Sequence, residues 1–450
     1  MGRLFGADGI RGIALSEVSC EKALLIGKAT AYVLSKKHSR RAKILIGKDT
    51  RISCNVLESA LIAGICSMGA DVHTLGVIPT PAVAYLAVKY GADASIMLSA
   101  AQNTFEFNGI RLFSASGYSL PEDVEAEIER LVLDCPEALV PENHQELGSV
   151  SNEKNAEWDY VRYLLRSIEH DLGRMKIVVD CANGAAYSSA DKFFKGLGVN
   201  VTLINNTPDG VNINDSCGTA DTSALSKAVV DLRAHAGIAF DGDGSRCIIV
   251  DEKGEPIDGD RILANLALYM KNESKLASNT CVVTPMTNLG FFKWAKEHSI
   301  VVSQTSASDA GCILERMLSD GYSLGGDNSG RVIFGNISTA FDGELCAARM
   351  LEIMAKSGKK MSELSQVFTP YPQIIVEVRI RPIFKGRWQE IAEITEMVDF
   401  CSEKLSNDGR IMIKESGTEP IIRVMAEGRD RDTIFQYAHG IAQVVRDHIG

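Results

Sequence analysis

The sequence predicts an α/β protein of three consecutive doubly wound domains with mixed sheets, followed by a smaller C-terminal α+β domain. Three observations carry this prediction. Short apolar segments alternate with segments of helical period, this alternation restarts twice after polar stretches, and the order of segments changes after Gln373. Alternating strands and helices are typical of mainly parallel sheets, in which functional loops follow the carboxyl ends of the strands.

The first domain is predicted over residues 1–155. Two short apolar runs, Lys43–Gly47 and Asp71–Leu75, each follow a segment with apolar residues at helical spacing. This pattern indicates parallel strands joined by helical crossovers. The two helical faces consist of Leu25, Ala29, Tyr32 and Val33, and of Leu57, Leu61, Ile65 and Met68.

The second domain is predicted over residues 156–256 and the third over residues 257–370, because each repeats the same pattern. The second contains the apolar runs Met175–Asp180, Val199–Asn205 and Gly237–Asp241, with a helix from about Gly184. The third contains the runs Thr280–Pro285 and Val301–Thr305, with one helix from about Leu289 and another running into Met317.

The fourth domain is predicted over residues 371–450, where strands come in closer succession. The strand IIVEVRI is followed by a helix from Trp388 to Leu405, the strands RIMIKES and IIRVMAE, and a last helix from Arg431. This order is typical of a small α+β domain.

Composition limits the classes of function. A chain of 450 residues with 45% hydrophobic and 23% charged residues is typical of a multidomain globular protein. Its net charge of −11 argues against nucleic-acid or anionic-membrane partners, which select basic surfaces. The 11 cysteines form no C-x-x-C pair, and neither a signal peptide nor a membrane span is evident. A cytoplasmic protein is expected.

Seven motifs follow one another in an order that resembles the α-D-phosphohexomutase superfamily, and most of all the bacterial phosphoglucosamine mutases. They are FGADGIRG at the N-terminus, GKDTRIS (Gly47–Ser53), VIPTPAVAY (Val77–Tyr85), PDGVNINDSCG (Pro208–Gly218), DGDGSR (Asp241–Arg246), GGDNSG (Gly325–Gly330) and ESGTEPIIRVMAEG (Glu415–Gly428). The resemblance implies an enzyme that moves phosphate between O6 and O1 of a hexose, using a phosphoserine and Mg²⁺.

The nucleophile loop departs from the family pattern. Ala101 stands where the resemblance places the phosphoserine, and Gln102 stands where it places a histidine. An alanine methyl group cannot carry a phosphoryl group, and an amide cannot exchange protons near neutral pH. Arg11 and Arg111 are the basic residues that the resemblance assigns to the catalytic site. Arg11 is retained, Arg111 stands where the family segment N-G-I-K has a lysine, and Ser99 lies two residues before the nucleophile position.

The metal loop also departs from the pattern. The resemblance assigns Mg²⁺ to three carboxylates of a D-G-D-x-D-R loop, and this chain has Asp241, Asp243 and Ser245 there. Loss of the third carboxylate and of the phosphoserine predicts weak metal binding, because Mg²⁺ prefers anionic oxygen ligands. A polar turn between two strands explains the same residues almost as well. Arg246 is then a partner for phosphate or for the loop.

The substrate loops are partly kept. Asp327 stands at the usual glutamate of the sugar-recognition loop, Ser329 is retained, Arg331 replaces a histidine, and Ala310 replaces an arginine. The phosphate-docking loop is nearly complete. Turn amides, hydroxyls and basic side chains there suit a phosphate, and the residues are Lys414, Ser416, Gly417, Thr418 and Arg423.

Three hypotheses follow. The first is a mutase-like protein without effective catalysis, which binds a phosphosugar or another phosphate-bearing molecule in a regulatory or binding role. The second is an active phosphoglucosamine mutase that interconverts glucosamine 6-phosphate and glucosamine 1-phosphate. The third is a structural subunit of an active enzyme. The resemblance also implies a homodimer, or a heterodimer with a paralogue, and a diadenylate cyclase as a protein partner.

Overall fold

The computed structural model describes residues 2–6, 8–38, 41–141, 146–307, 309–415 and 420–450. The chain divides into two compact units. The first comprises Met1–Thr287 with His298–Val367, and the second comprises Asn288–Glu297 with Phe368–Gly450. Within the described ranges, no helix is both long enough and apolar enough to cross a bilayer.

The first unit begins with a six-stranded sheet in the order β1-β5-β4-β2-β3-β6. Strand β2 pairs in parallel with β3 and β4, whereas β5 and β1 add antiparallel strands at one edge. The elements are β1 (Ile10–Ile13), α1 (Cys20–His38), β2 (Lys43–Lys48), α2 (Ser53–Ser67), β3 (Asp71–Val77), α3 (Thr80–Lys89), β4 (Ala94–Leu98), β5 (Phe107–Ser114), α4 (Glu122–Leu133) and β6 (Val150–Asn152).

A second sheet has the order β11-β10-β9-β7-β8. Strand β7 is parallel to β8 and β9, while β9 and β10 form an antiparallel hairpin. The elements are α5 (Ala156–Ser167), β7 (Lys176–Asp180), α6 (Ser189–Gly196), β8 (Asn200–Ile204), α7 (Ser223–Leu232), β9 (Ala236–Phe240), β10 (Cys247–Asp251) and β11 (Pro256–Ile257). The turn of the β9–β10 hairpin holds the DGDGSR motif.

A third sheet has the order β13-β12-β14-β15, with β12 parallel to both β13 and β14. Its region contains α8 (Gly259–Asn272), β12 (Thr280–Val283), β13 (Val301–Gln304), α10 (Ala310–Asp320), β14 (Leu324–Gly326), β15 (Val332–Phe334), α11 (Gly343–Ser357) and α12 (Met361–Leu364). Helix α9 (Leu289–Glu297) lies between β12 and β13 in the chain but belongs to the second unit.

The second unit contains an antiparallel sheet in the order β16-β18-β17. Its remaining elements are β16 (Gln373–Arg379), α13 (Ala392–Leu405), β17 (Gly409–Glu415), β18 (Ile421–Gly428) and α14 (Arg431–Ile449). Buried aliphatic residues of β18 and α14, such as Val424 and Ile441, form one core cluster. This unit has the α+β character predicted for the C-terminal region.

The predicted fold class is confirmed, and the differences concern where helices begin. The helix predicted from Trp388 begins at Ala392, because Ile391 has extended backbone angles and Trp388–Glu390 forms a separate 3-10 turn. The helix predicted from Gly184 likewise begins at Ser189, after a 3-10 turn over Ala185–Tyr187. The four predicted domain ranges stay a proposal.

Candidate functional site

The loop after β4 keeps a fixed backbone around Ala101. Ala101 has a φ of 47°, in the left-handed region that alanine rarely occupies, and is 3% exposed. Its amide donates to Ser99 Oγ at 3.0 Å. Its carbonyl accepts from Arg51 Nη2 at 3.2 Å and from Asn214 Nδ2 at 2.8 Å. These bonds hold a strained conformation, which is characteristic of functional loops.

The hydroxyl group of Ser99 is already engaged. It donates to Asp49 Oδ2 at 2.5 Å and accepts the Ala101 amide. The same carboxylate oxygen is 3.0 Å from Arg51 Nη1, and both side chains of this ion pair are fully buried. Gln102, the second departure in the loop, is exposed.

A small polar cleft opens beside this loop. Five of the predicted site residues line it together: Arg11, Ala101, Arg111, Asp243 and Ser245. Its other lining residues are Asp8, Thr80, Met97, Ser99 and Arg331. The structure thus brings the predicted nucleophile position, two arginines and part of the metal loop to one place. Gln102, Asp241, Arg246, Asp327 and Ser329 are not among the residues that line it.

Three arginines give the cleft a positive electrostatic character. Arg331 Nη2 forms an ion pair with Asp8 Oδ2 at 3.0 Å. Burial would raise the pKa of the Asp8 carboxyl, but the charges of Arg331, Arg111 and Arg11 outweigh burial and hold the pKa well below its usual range. Burial also lowers the pKa of the Arg11 and Arg111 guanidinium groups. The cleft therefore suits an anion that accepts several hydrogen bonds, such as phosphate.

Asp241, at the end of β9, is neutralised by Arg246. Arg246 Nη1 lies 2.6 Å from Asp241 Oδ2, and the Arg246 amide donates to Asp241 Oδ1 at 3.0 Å. Burial, together with the charge of Asp243, raises the pKa of the Asp241 carboxyl to about 6, although Arg246 opposes this shift. Both Asp241 oxygens thus have partners within the turn.

Asp243 is held by Thr80, the first residue of α3. Thr80 Oγ1 donates to Asp243 Oδ2 at 2.6 Å, and the Ser245 amide donates to Asp243 Oδ1 at 3.0 Å. Burial would raise the pKa of Asp243, but the bonds from Ser245 and Thr80 and the charge of Arg246 lower it. The VIPTP motif therefore has a role that sequence reasoning did not assign.

The metal loop does not fit Mg²⁺ in this arrangement. Mg²⁺ requires several oxygen ligands around one point, whereas Asp241 Oδ2 is already paired with the Arg246 guanidinium at 2.6 Å. Ser245 Oγ donates to Asp241 Oδ2 at 3.4 Å. Across the described part of the chain, no three side chains of His, Cys, Asp or Glu come together as a metal site.

The predicted sugar loop joins the metal loop through hydrogen bonds. Asp327 Oδ1 accepts from the amide and the hydroxyl of Ser329, at 2.9 Å and 2.6 Å. Arg246 Nε in turn donates to Ser329 Oγ at 3.2 Å. Asp327 and Arg246 are buried. Ala310 begins α10.

The predicted phosphate-docking residues lie in the second unit. Lys414 on β17 pairs in register with Arg423 on β18, and Arg423 pairs in register with Glu377 on β16. Arg423 Nε lies 2.7 Å from Glu377 Oε1, and both side chains are exposed. Ser416, Gly417 and Thr418 lie outside the described residues.

Comparison with protein families decides the assignment. Four models described as phosphoglucomutase/phosphomannomutase match the chain in order: α/β/α domain I over residues 2–137, domain II over 159–254, domain III over 258–371 and the C-terminal domain over 376–444. The chain belongs to the phosphoglucomutase/phosphomannomutase family.

Relatives of this phosphoglucomutase/phosphomannomutase chain share its full length. The phosphoglucosamine mutase of Acetivibrio thermocellus is 43% identical over 450 residues, covering 100% of both chains. Among solved structures, a family protein from Burkholderia thailandensis has a TM-score of 0.80 at 21% identity, covering 99% of this chain and 97% of the other. A serine-to-alanine variant of Aspergillus fumigatus N-acetylphosphoglucosamine mutase, in complex with glucose 1,6-bisphosphate, has a TM-score of 0.67 at 16% identity, covering 99% of this chain and 96% of the other.

Sequence reasoning about this phosphoglucomutase/phosphomannomutase chain missed several residues of the site. Asp8 and Thr80 line the cleft and Asn214 supports the Ala101 loop. All three lie inside the quoted motifs, but no role was assigned to them. Their partners are remote in sequence: Asp8 contacts Arg331, and Thr80 contacts Asp243. The motifs themselves were the signal that could have identified these residues. Each motif contains more residues than the reactive ones, which implies that the additional residues make further contacts.

Proposed function

We propose that the chain is a phosphoglucosamine mutase-like protein that binds a hexosamine phosphate in this cleft and lacks the phosphoserine relay. The observation that carries the proposal is Ala101 at the nucleophile position, in a loop whose backbone is still held by Arg51 and Asn214. A loop that has lost its hydroxyl group but kept its supports can still present the surrounding arginines to a ligand.

Ligand binding rests on the charge of the cleft. Arg11, Arg111 and Arg331 line it together with Asp8 and Asp243. A phosphate group can accept charge-assisted hydrogen bonds from such guanidinium groups, which are among the stronger hydrogen bonds in proteins. The alanine variant of the Aspergillus fumigatus enzyme in complex with glucose 1,6-bisphosphate supports this proposal, since that protein binds a phosphosugar after a serine-to-alanine change.

Loss of catalysis rests on the chemistry of the side chain at position 101. Phosphoryl transfer through the enzyme needs an oxygen that attacks phosphorus and later leaves it. The methyl group of Ala101 has no lone pair and can do neither. Phosphate monoester hydrolysis without catalysis is slower than the enzymatic reaction by up to about 10²¹-fold. Positioning by the arginines alone would therefore leave no measurable turnover.

We also propose that binding of the phosphosugar does not depend on Mg²⁺. Arg246 supplies a positive charge 2.6 Å from Asp241, and Thr80 and Ser245 donate to Asp243. Asp241 is thus already neutralised, and Asp243 is already hydrogen-bonded. In the second unit, Lys414 and Arg423 are proposed as further phosphate contacts.

The second candidate is an active phosphoglucosamine mutase. The comparisons favour it over the first candidate, because full-length relatives of that name are 43% identical to this chain. It requires another nucleophile, and Ser99 is the hydroxyl-bearing residue of the nucleophile loop that lines the cleft. The bond from Ser99 to the buried Asp49 would supply a base for proton removal.

A coupled mutase assay separates the two candidates. Purified full-length protein is given glucosamine 6-phosphate or glucosamine 1-phosphate, with and without Mg²⁺, and its intact mass is measured after incubation. The first candidate predicts saturable binding of the sugar phosphate by calorimetry, no turnover and no added phosphoryl mass. Turnover together with an added phosphoryl group would overturn it and establish the second.

Two variants sharpen the assay. Ser99→Ala removes the nucleophile that the second candidate requires, so any turnover or phosphoryl adduct of the unmodified chain should disappear. Arg11→Met tests the cleft itself and should weaken sugar phosphate binding under the first candidate. Binding that is unchanged in Arg11→Met would place the ligand elsewhere and contradict the first candidate.

We also propose two protein–protein interactions for this chain. A homodimer, or a heterodimer with a paralogue, and a diadenylate cyclase partner follow from the resemblance to bacterial phosphoglucosamine mutases. Light scattering of the purified chain tests the dimer. Copurification with an added diadenylate cyclase tests the second interaction.

A further inference from the structure

The first unit contains a cavity of about 500 Å³ that shares no lining residue with the cleft. It lies against α8, β15 and α11. A volume of this size is typical of sites for small organic molecules. The lining residues are Glu169, Leu266, Tyr269, Met270, Ser274, Lys275, Ala277, Ser323, Phe334, Asn336, Ile337 and Arg349.

The inner wall of the cavity is apolar. Leu266, Met270 and Phe334 belong to the buried core of the unit, yet each also lines the cavity. Tyr269 adds an aromatic ring, whose centroid lies 5.1 Å from Lys356 Nζ. Such a wall favours a ligand with an apolar, ring-shaped body, because burial of apolar surface is its main driving force.

Arg349, on α11, gives the cavity a charged end. It is 9% exposed, and its Nη1 donates to Glu352 Oε2 at 2.6 Å. Glu352 Oε1 accepts from the amides of Glu169 and His170, at 3.0 Å and 3.2 Å. Among the described residues, Glu352 is the hydrogen-bond acceptor of this guanidinium. Its Nε–H and its outer Nη2–H donors are thus left for a ligand.

The rim of the cavity is balanced in charge. Lys275 Nζ lies 3.0 Å from both carboxylate oxygens of Glu169. These two side chains are exposed at the mouth of the cavity. Because their charges are opposite, they neutralise each other there. The guanidinium is therefore the charged group that a bound molecule meets inside the cavity.

We propose that this cavity is a second binding site, for a small aromatic molecule that carries one carboxylate, sulfonate or phosphate group. The ring packs on Leu266, Met270 and Phe334, and the anion accepts hydrogen bonds from Arg349. A planar guanidinium with two adjacent donors matches such an anion in a bidentate manner. This site is independent of the proposed function, because its residues are not those of the cleft.

The probe for the test is 1-anilino-8-naphthalenesulfonate, an aromatic anion whose fluorescence rises in apolar surroundings. Full-length protein is titrated with the dye, and binding is expected to be saturable with one site per chain. Ala277→Trp fills the cavity without removing a polar partner and is expected to weaken binding at least tenfold. Ala126→Trp, at an exposed position of α4, is the matched control and should leave the affinity unchanged.

A second variant tests the role of charge. Arg349→Met combined with Glu352→Gln removes the ion pair while keeping an acceptor for the Glu169 and His170 amides. It should weaken binding of the sulfonate dye at least tenfold but leave binding of the neutral analogue N-phenyl-1-naphthylamine unchanged. Equal loss for both dyes would contradict a specific anion contact.

Competition identifies the preferred anion. Displacement of the dye by 1-naphthoate, by 1-naphthyl phosphate or by both supports the site and ranks the anions. The proposal is overturned if neither competes, or if Ala277→Trp and Ala126→Trp bind the dye as the unmodified chain does, since the dye then occupies another surface.

Discussion

The Arg246 guanidinium lies 2.6 Å from a carboxylate oxygen of Asp241, and both side chains are almost completely buried. This ion pair sits in the turn to which the family resemblance assigns a magnesium ion. A buried charge is costly unless it is paired, so the pair stabilises the turn without any bound cation.

Arg246→Met should destabilise the first unit. The change leaves the Asp241 carboxylate buried without its partner, and breaking a buried ion pair in this way costs about 3–5 kcal/mol. Urea unfolding of the full chain measures this loss. Arg130→Met, which removes an exposed pair with Glu127, is the control and should cost less than about 1 kcal/mol. Equal effects of the two substitutions would refute the assignment.

Asp342→Asn should change the pH dependence of stability. Burial raises the pKa of Asp342 to about 6, above its value of about 4 in an unfolded chain. Between these pH values the folded protein holds a proton that the unfolded chain has lost, so this group's stabilising contribution is present below pH 4 and lost as pH rises through 6.

Asparagine is uncharged at every pH. Its side-chain oxygen can still accept hydrogen bonds from the Leu345 amide and the Tyr160 hydroxyl group, which both donate to Asp342. The stability of Asp342→Asn relative to the unmodified chain should therefore rise by about 2–3 kcal/mol between pH 4 and pH 7. Urea midpoints at several pH values measure this difference. Asp123→Asn, on the exposed face of α4, controls for loss of a carboxylate. Parallel curves for Asp342→Asn and the unmodified chain would contradict the prediction.

If the chain is inactive as proposed, Ala101→Ser alone should not confer mutase activity. The new hydroxyl group would enter a loop that is already held in place, but Gln102, Ser245 and Ala310 would still differ from the family pattern. The coupled assay with glucosamine 6-phosphate is the measurement. The matched comparison is a variant that also carries Gln102→His, Ser245→Asp and Ala310→Arg, which should turn over substrate. Activity in the single variant would mean that the other three positions matter less than proposed.

Arg423→Ala should weaken binding of a sugar phosphate at least tenfold. Hydrogen bonds to charged groups contribute about 1.5–3 kcal/mol, and Arg423 stands opposite Lys414 in a pair of basic side chains. Calorimetry with glucosamine 6-phosphate measures the affinity. Arg387→Ala serves as the control, because Arg387 is also exposed and paired with a carboxylate. If both variants bind as the unmodified chain does, the docking role of Arg423 is wrong.

Much of the fold could be predicted because strands and helices leave local periodic patterns. The runs at Lys43 and Thr280 begin strands as predicted, since apolar character and spacing are local properties. The predicted first residues of the helices were less accurate. Trp388 precedes its helix by a separate turn, which depends on the backbone angles of Ile391 rather than on the apolar spacing.

The site was predicted only in part, for a physical reason. The quoted motifs identify which residues are present, but the contact between Thr80 and Asp243 spans 163 positions and that between Asp8 and Arg331 spans 323. Such contacts depend on how the sheets are arranged. The turn residues Asp241 and Arg246 are close in sequence, yet only the three-dimensional structure shows that the arginine folds back onto the carboxylate.

The support of Ala101 by Arg51 and Asn214 has a consequence for evolution. The backbone at this position already has the conformation that the loop requires, so a hydroxyl group there is a single base change away in the genetic code. Glutamine and histidine codons at position 102 differ by one base as well. Aspartate at position 245 and arginine at position 310 each require two base changes. A lineage could therefore acquire the family pattern in the nucleophile loop before the other loops, and laboratory selection from this chain should begin at positions 245 and 310.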